Sequence, residues 1–297
     1  SCLVGSEMCI RDRVCKKFFI KSLINTLIVL LQKDMVRKQL EKSRPTELII
    51  NIRRELNNCM KKLLLILLLV CLPVSSATHY SWNEWIKETV FNDKEITGDS
   101  QFIHIEAPYR AINGGNVPIK IYTDSPGIVK FTLIIDENPT PCCAIFEFDN
   151  IPAYVETNIR VNAYTYLRVV AEDIYGNLYM NTEFIKAAGG CSAPSMFVSD
   201  KPLGSIELVK KNGEYNKYQF WHPNYSGLQF NQLTRTEIPA EYIDKVEIHF
   251  DDASFRYEGT IGIAENVYFS LATNKEGDVT ATDNLGNHFS YLRQPRD

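Results

Sequence analysis

Residues 117–135 read VPIKIYTDSPGIVKFTLII, and this stretch decides the fold class. Two runs of β-branched and aromatic residues, Val117–Tyr122 and Val129–Ile135, flank the turn residues Asp124–Gly127. Such runs favour extended strands, and the Pro-Gly pair between them favours a tight connection. The stretch therefore predicts two consecutive antiparallel strands.

The same pattern continues along the chain without intervening helices. In the first half we predict further strands at Phe102–Ile105, Ala144–Phe148, Asn158–Asn162, Tyr166–Glu172 and Leu178–Lys186. In the second half we predict strands at Gly204–Lys210, Tyr218–Trp221, Lys245–Phe250, Phe255–Thr260, Tyr268–Leu271, Gly277–Thr282 and His288–Tyr291. Short strands separated by turns are typical of antiparallel sandwiches. The sequence therefore predicts an all-β protein of two immunoglobulin-like β-sandwich domains, residues 78–186 and 203–297.

A short helix is expected before the first strand. Trp82, Trp85, Ile86 and Val90 recur at helical spacing, and Ser81 is a suitable N-cap.

The net charge changes sign near residue 77. The whole chain of 297 residues has a net charge of −4, yet residues 1–77 are basic and the remainder is acidic. Met60 is followed by two lysines, an apolar run (Leu63–Leu72) and the small residues Ser75–Ala77. This order is that of a secretory signal peptide. We therefore expect residues 60–77 to be a signal peptide, residues 1–59 to be spurious upstream translation, and the protein to be periplasmic. The acidic remainder argues against a nucleic-acid partner, and after signal cleavage we expect no membrane association.

Three of the eight cysteines lie after residue 77, which is an odd number for an oxidising compartment. Cys191 follows Gly189 and Gly190 in the segment 187–202, which is rich in small residues and reads as an exposed linker. This context predicts an accessible thiol on a flexible arm, with the two glycines as its hinge. An incidental linker cysteine, or one paired elsewhere, is the alternative.

The other candidate residues allow more than one interpretation. Cys142 and Cys143 could form a strained vicinal disulfide, a soft-metal site or a redox pair for Cys191, but neighbours in a strand point to opposite faces. His222 could serve Cys191 as a base in a thiol enzyme, although no third group that would orient it is evident. No catalytic residue or metal ligand is assigned, and no cofactor is expected.

Several motifs resemble a known family when they are taken in order. In the first half they are Ala107–Ala111, Asp136–Pro139, Arg160–Thr165 and Phe184–Pro194, and in the second half His222–Gly227 and Ile238–Ile243. Together they resemble a fusion of the sulfur-oxidation proteins SoxY and SoxZ, of the type described as quinoprotein dehydrogenase-associated SoxYZ-like carriers. The resemblance covers nearly all of the chain after residue 77.

The resemblance implies a non-enzymatic carrier in the periplasm. In that family SoxY holds sulfur-oxidation intermediates on the cysteine of a C-terminal Gly-Gly-Cys-Gly-Gly arm, and SoxZ is its partner. Carried over here, Cys191 is the carrier cysteine, and the partners are sulfur-oxidation or quinoprotein-associated redox enzymes. This chain departs from the pattern, because Ser192–Pro194 replaces the second glycine pair and the arm continues into the next domain. A thiol enzyme and a purely structural sandwich protein remain the alternatives.

Overall fold

The computed structural model describes residues 82–293, except residues 93, 196 and 212. The chain divides into two compact units, residues 1–79 and 80–297, and all described residues belong to the second. The predicted upstream segment, the signal peptide and the Ser81 N-cap lie outside the described residues. Within the described residues, no helix is long and apolar enough to span a membrane.

The predicted N-terminal helix is present. A π-helical turn over Trp82–Ile86 leads into α1 (Lys87–Phe91). Trp82, Ile86 and Phe91 are buried and pack against strand residues in a small second core, while Trp85 remains 44% exposed. The helix therefore packs its apolar side against one face of the sheet.

The remainder is almost entirely β-structure, which confirms the predicted fold class. The first half (residues 82–186) contains β1 (Ile96–Thr97), β2 (Ile103–Glu106), β3 (Val117–Thr123), β4 (Ile128–Ile135), β5 (Cys142–Asp149), β6 (Tyr154–Ile159), β7 (Thr165–Asp173) and β8 (Leu178–Ile185). The second half (residues 203–293) contains β9 (Ile206–Lys211), β10 (Tyr215–Phe220), β11 (Phe230–Asn231), β12 (Thr236–Glu237), β13 (Ile243–His249), β14 (Ser254–Gly259), β15 (Tyr268–Leu271), β16 (Asp278–Asp283) and β17 (His288–Tyr291).

Each half contributes strands to both layers of a sandwich. One layer has nine strands in the order β1-β8-β7-β4-β5-β14-β13-β16-β17, and the other has six in the order β2-β3-β6-β15-β10-β9. The halves join edge to edge, because β5 pairs with β14 in the first layer and β6 pairs with β15 in the second. The pairs are antiparallel except for β1 and β8, which run parallel. The sequence did not predict this joining of the two halves.

One hydrophobic core runs through both halves. The strands that form the junction carry aromatic residues whose rings meet inside it. Phe146 on β5 lies 6.1 Å from Phe269 on β15, and Phe269 lies 4.6 Å from Tyr257 on β14, measured between ring centroids. All three side chains are essentially inaccessible to solvent. Packing of this kind couples the stability of one half to that of the other.

Replacing Phe269 with alanine is expected to destabilise both halves together. Loss of this buried ring should lower the free energy of unfolding by about 3–5 kcal/mol. Hydrogen exchange followed by mass spectrometry should show faster exchange in β4 and β7 of the first half as well as in β10 and β13 of the second. The matched control is Leu233→Ala, at a side chain that is 95% exposed. Unchanged exchange in the first half of the Phe269→Ala protein would contradict a shared core.

Candidate functional site around Cys191

Gly190 and Cys191 are buried, although the residues on either side of them, Gly189 and Ser192, are exposed. After β8 the chain enters a 3-10 turn, Gly190–Ser192, and Gly189 precedes it with a φ of 67°. Cys191 has no exposed surface. The prediction of a solvent-exposed thiol on a flexible arm is therefore wrong for this structure.

The glycines serve close packing here rather than free rotation. Gly190 lies against Gly114, and a Cβ atom added to Gly190 would fall 2.0 Å from the carbonyl oxygen of Gly114. The N–H of Gly189 donates to the carbonyl oxygen of Asn162 at 2.7 Å, and that of Gly190 donates to Val161 at 3.1 Å. The sequence does not distinguish a glycine that makes the backbone flexible from a glycine that lets two backbone segments pack closely. This ambiguity explains the wrong prediction.

The second half of the chain also holds this segment in place. The loop after β10 supplies Ser226, whose buried hydroxyl donates to the carbonyl oxygen of Cys191. The same loop supplies Gln229, whose side-chain amide donates to the carbonyl oxygen of Ala193 at 2.9 Å. The Cys191 segment is therefore fastened to strands of the first half and covered by a loop of the second.

A buried arginine lies at the junction beside the thiols. Arg160 is 1% exposed, and its guanidinium donates to the carbonyl oxygens of Ile261 and Ile263 in the second half. Its backbone N–H donates to Gly262 at 2.7 Å. Burial lowers the pKa of Arg160, while Cys191 raises it. Arg160 therefore ties the two halves together and provides positive charge for the site.

Burial controls the chemistry of the Cys191 thiol. It raises the pKa of Cys191 to about 11, and the charge of Arg160 acts in the opposite direction. Because only the thiolate is nucleophilic, the closed site keeps the sulfur unreactive near neutral pH. Arg160 was part of a motif quoted in the sequence, but no sequence signal assigned it to the site. Its role depends on a fully buried position that only the assembled halves create.

Cys142 and Cys143 point in different directions, as neighbours in a strand should. Cys143 is buried and faces the core, whereas Cys142 is half-buried. Burial, followed by the charges of Cys142 and Cys191, raises the pKa of Cys143 well above its ordinary value. No disulfide joins the three cysteines of the described residues. Their role as a redox pair stays a prediction.

His222 has an orienting partner that the sequence did not reveal. Its ring is fully buried, with Nδ1 3.1 Å from Asn224 Oδ1 and Nε2 3.7 Å from Asp283 Oδ2. The ring is therefore held by Asn224 and directed towards a carboxylate. The pairing of His222 with Cys191 as a base and a nucleophile receives no support from these contacts.

Comparison with known proteins identifies both halves. The family model for sulfur oxidation protein SoxY matches residues 87–191, and the model for sulphur oxidation protein SoxZ matches residues 208–292. The chain therefore carries a SoxY match followed by a SoxZ match, and we call the parts that contain them the SoxY half and the SoxZ half. The SoxY match ends at Cys191, and the loop that carries Ser226 and Gln229 lies within the SoxZ match.

The sulfur carrier protein SoxY from Chlorobium limicola f thiosulfatophilum aligns with 28% identity and a TM-score of 0.31, over 34% of this chain and 88% of that chain. A 1.5-MDa bacterial ice-binding adhesin aligns with 12% identity and a TM-score of 0.17, over 66% of this chain and 62% of that chain. No curated protein matches the chain.

Substituting Gly190 with alanine should release the Cys191 segment. The added methyl group has no room beside Gly114, so the turn must move away from Val161 and expose the sulfur. We expect alkylation of Cys191 by iodoacetamide to accelerate by roughly tenfold or more, since an open thiol has a pKa of about 8.5. Gly98→Ala is the control, because no heavy atom lies within 4 Å of the Cβ position there. An equal alkylation rate in both variants would contradict the close-packing role.

The pH dependence of alkylation should report the burial of Cys191. With a pKa of about 11, the native thiol should react roughly tenfold faster for each pH unit between about pH 8 and 10, since its thiolate fraction is still rising. In urea the same residue should level off near about pH 8.5. Peptide mass spectrometry after timed alkylation measures both profiles. A native profile that levels off near the urea value would show that the thiol is open to solvent.

Proposed function

We propose that this protein is a periplasmic carrier that holds sulfur-oxidation intermediates covalently on Cys191 and presents them to partner enzymes. The observation that carries the proposal is the SoxY–SoxZ tandem, in which the SoxY match ends at Cys191 and the SoxZ half covers that residue. The Met60–Ala77 pattern in the sequence supports export to the periplasm. Association with quinoprotein dehydrogenases stays a prediction from the resemblance.

The buried cysteine requires that the carrier open before it is loaded. The contacts that hold the segment are a few hydrogen bonds, from Gly189, Gly190, Ser226 and Gln229. Each contributes about 0.5–1.5 kcal/mol net, so opening costs a few kcal/mol on that scale. A partner enzyme that binds the open form supplies this energy by its differential affinity for the two states. The closed form protects the Cys191 sulfur from solvent between encounters with partner enzymes.

Loading consists of forming a sulfur–sulfur bond at Cys191. Joining the Cys191 thiol to a reduced inorganic sulfur compound such as thiosulfate releases the thiol proton and two electrons. The loading enzyme provides the acceptor for these two electrons. In the closed site the charge of Arg160 favours the thiolate form of Cys191 over the thiol. The carrier itself contributes the Cys191 sulfur, the buried site that protects it and the surfaces that dock to partner enzymes. We propose no turnover by the isolated protein.

Mass spectrometry of native protein provides the test. Protein purified from its own host during growth on reduced sulfur should carry adducts on the peptide that contains Cys191, and reductant should remove them. Cys191→Ser should abolish the adducts and sulfur oxidation by the cells. Cys142→Ser, at a half-buried thiol of the same half, should retain both. Adducts on Cys142 instead, or normal sulfur oxidation with Cys191→Ser, would refute the carrier assignment.

A further inference from the structure

A second cluster of chemically active side chains lies in the SoxZ half. His222 follows β10, Glu241 precedes β13 and Asp283 ends β16. Each offers one donor atom, a ring nitrogen or a carboxylate oxygen, and the three atoms lie within 4.8 Å of one another. His222 and Asp283 are buried, and Glu241 is partly buried. Three separate segments of the chain thus direct their donor atoms to one point.

The nitrogen that faces this point has no hydrogen-bond partner. Nε2 of His222 is fully buried and unbonded, and its distance of 3.7 Å from Asp283 Oδ2 is too long for a hydrogen bond. Leaving a buried polar atom unsatisfied costs about 1–3 kcal/mol. A cation between the nitrogen and the carboxylates would remove this cost.

The other ring nitrogen is held in a way that suits coordination. Asn224 places its Oδ1 atom 3.1 Å from Nδ1, and that oxygen also accepts the backbone N–H of Ile243 at 2.9 Å. Asn224 presents its own backbone N–H to Nδ1 at 3.1 Å as well, so it can hold either tautomer. With the proton on Nδ1, the ring donates to Oδ1 and directs the lone pair of Nε2 into the cluster, as in metal-bound histidines.

The Asp283 carboxylate is fixed in the same manner. Its Oδ1 atom accepts the backbone N–H groups of Leu285 and Asn287 at 2.9 and 2.8 Å, and Oδ2 accepts the side-chain amide of Asn287 at 2.7 Å. Burial alone would raise the pKa of Asp283, but these bonds and His222 outweigh it and lower that pKa. Asp283 is therefore a preformed anionic donor.

The electrostatics of the cluster also favour a cation. Burial, followed by the charge of Asp283, raises the pKa of Glu241, which shows that two carboxylates oppose each other there. Burial lowers the pKa of His222, while Asp283 and Asn224 act in the opposite direction. A dication would neutralise both carboxylates at once.

We propose that His222, Glu241 and Asp283 bind a divalent zinc ion. One imidazole and two carboxylates form a donor set that zinc accepts, and an imidazole is a poor ligand for magnesium or calcium. Tetrahedral zinc with bonds of about 2.0–2.2 Å places its ligand atoms roughly 3.3–3.6 Å apart, so a separation of 4.8 Å has to close by roughly 1.5 Å or less. The site is separate from Cys191, and it anchors the start of the loop that carries Ser226 and Gln229.

The test is zinc binding by the purified protein after chelator treatment. We expect one zinc ion per chain by elemental analysis after gel filtration, and no displacement by calcium in excess. Glu241→Gln keeps the size of the side chain while removing its charge, and it should weaken zinc binding by roughly tenfold or more. The matched control, Glu237→Gln, changes an exposed carboxylate on β12 and should bind as the wild type does. Asp283→Asn would also disturb the turn that Asp283 organises through Leu285 and Asn287.

Cobalt substitution separates this site from the cysteines. Cobalt in place of zinc should show d–d absorption bands without the thiolate-to-cobalt charge-transfer band. Failure to retain zinc, equal affinity in Glu241→Gln and Glu237→Gln, displacement by calcium, or a thiolate charge-transfer band would each overturn the proposal. None of these outcomes depends on sulfur carriage by Cys191, so the two proposals succeed or fail separately.

Discussion

The pairing of β5 with β14 is the constraint on which the rest of the structure depends. It joins the edge of the SoxY half to the edge of the SoxZ half and extends one layer to nine strands. The segment that follows β14 brings Thr260 against Cys143 and Gly262 against Arg160, and the N–H of Thr260 donates to the carbonyl oxygen of Cys143 at 3.0 Å. Without this junction Arg160 would be an unpaired charge at an open edge, and no second half would cover Cys191. The environment of the site is therefore a product of the interface between the halves.

This arrangement changes what a cysteine arm can do. An arm that ends the chain can swing freely, whereas Cys191 is tethered to β8 on one side and to the SoxZ half on the other. In the proposed function, Cys191 would move by an opening between two states rather than by diffusion of a loose chain end. The hydrogen bonds that such an opening has to break include those from Ser226 and Gln229 to the backbone carbonyls of Cys191 and Ala193. The SoxZ half would then control access to the cysteine, because both donors belong to its loop.

The sequence predicted the fold class better than the site. The period-two runs, such as Val117–Tyr122, and the turn residues between them report local backbone preference, and nearly all of the predicted strands are present. The two-residue strands β1, β11 and β12 were not predicted, and β6 begins at Tyr154 rather than at Asn158. Strand β1 and the junction between the halves were missed because each depends on partners that are distant in sequence. At the site, Cys191 was found from its Gly-Gly neighbours, but its burial was not, since the same glycines permit either a hinge or the close approach to Gly114. Arg160 and Asp283 were missed because their significance arises only from what surrounds them when buried.

His222 links the proposed zinc site to the loop over Cys191, although neither proposal depends on the other. The ring begins the loop that ends at Gln229, so whatever fixes the ring also restricts the loop at its first residue. Because Nε2 has no hydrogen-bond partner, burial of the His222 ring destabilises the folded state. Movement of the ring towards solvent would remove part of this cost. A cation shared with Glu241 and Asp283 would instead make movement of the His222 ring towards solvent unfavourable, because that movement would break the bond between the cation and Nε2. The loop over Cys191 would accordingly be harder to open from its His222 end, and opening would be confined to the hydrogen bonds of Ser226 and Gln229.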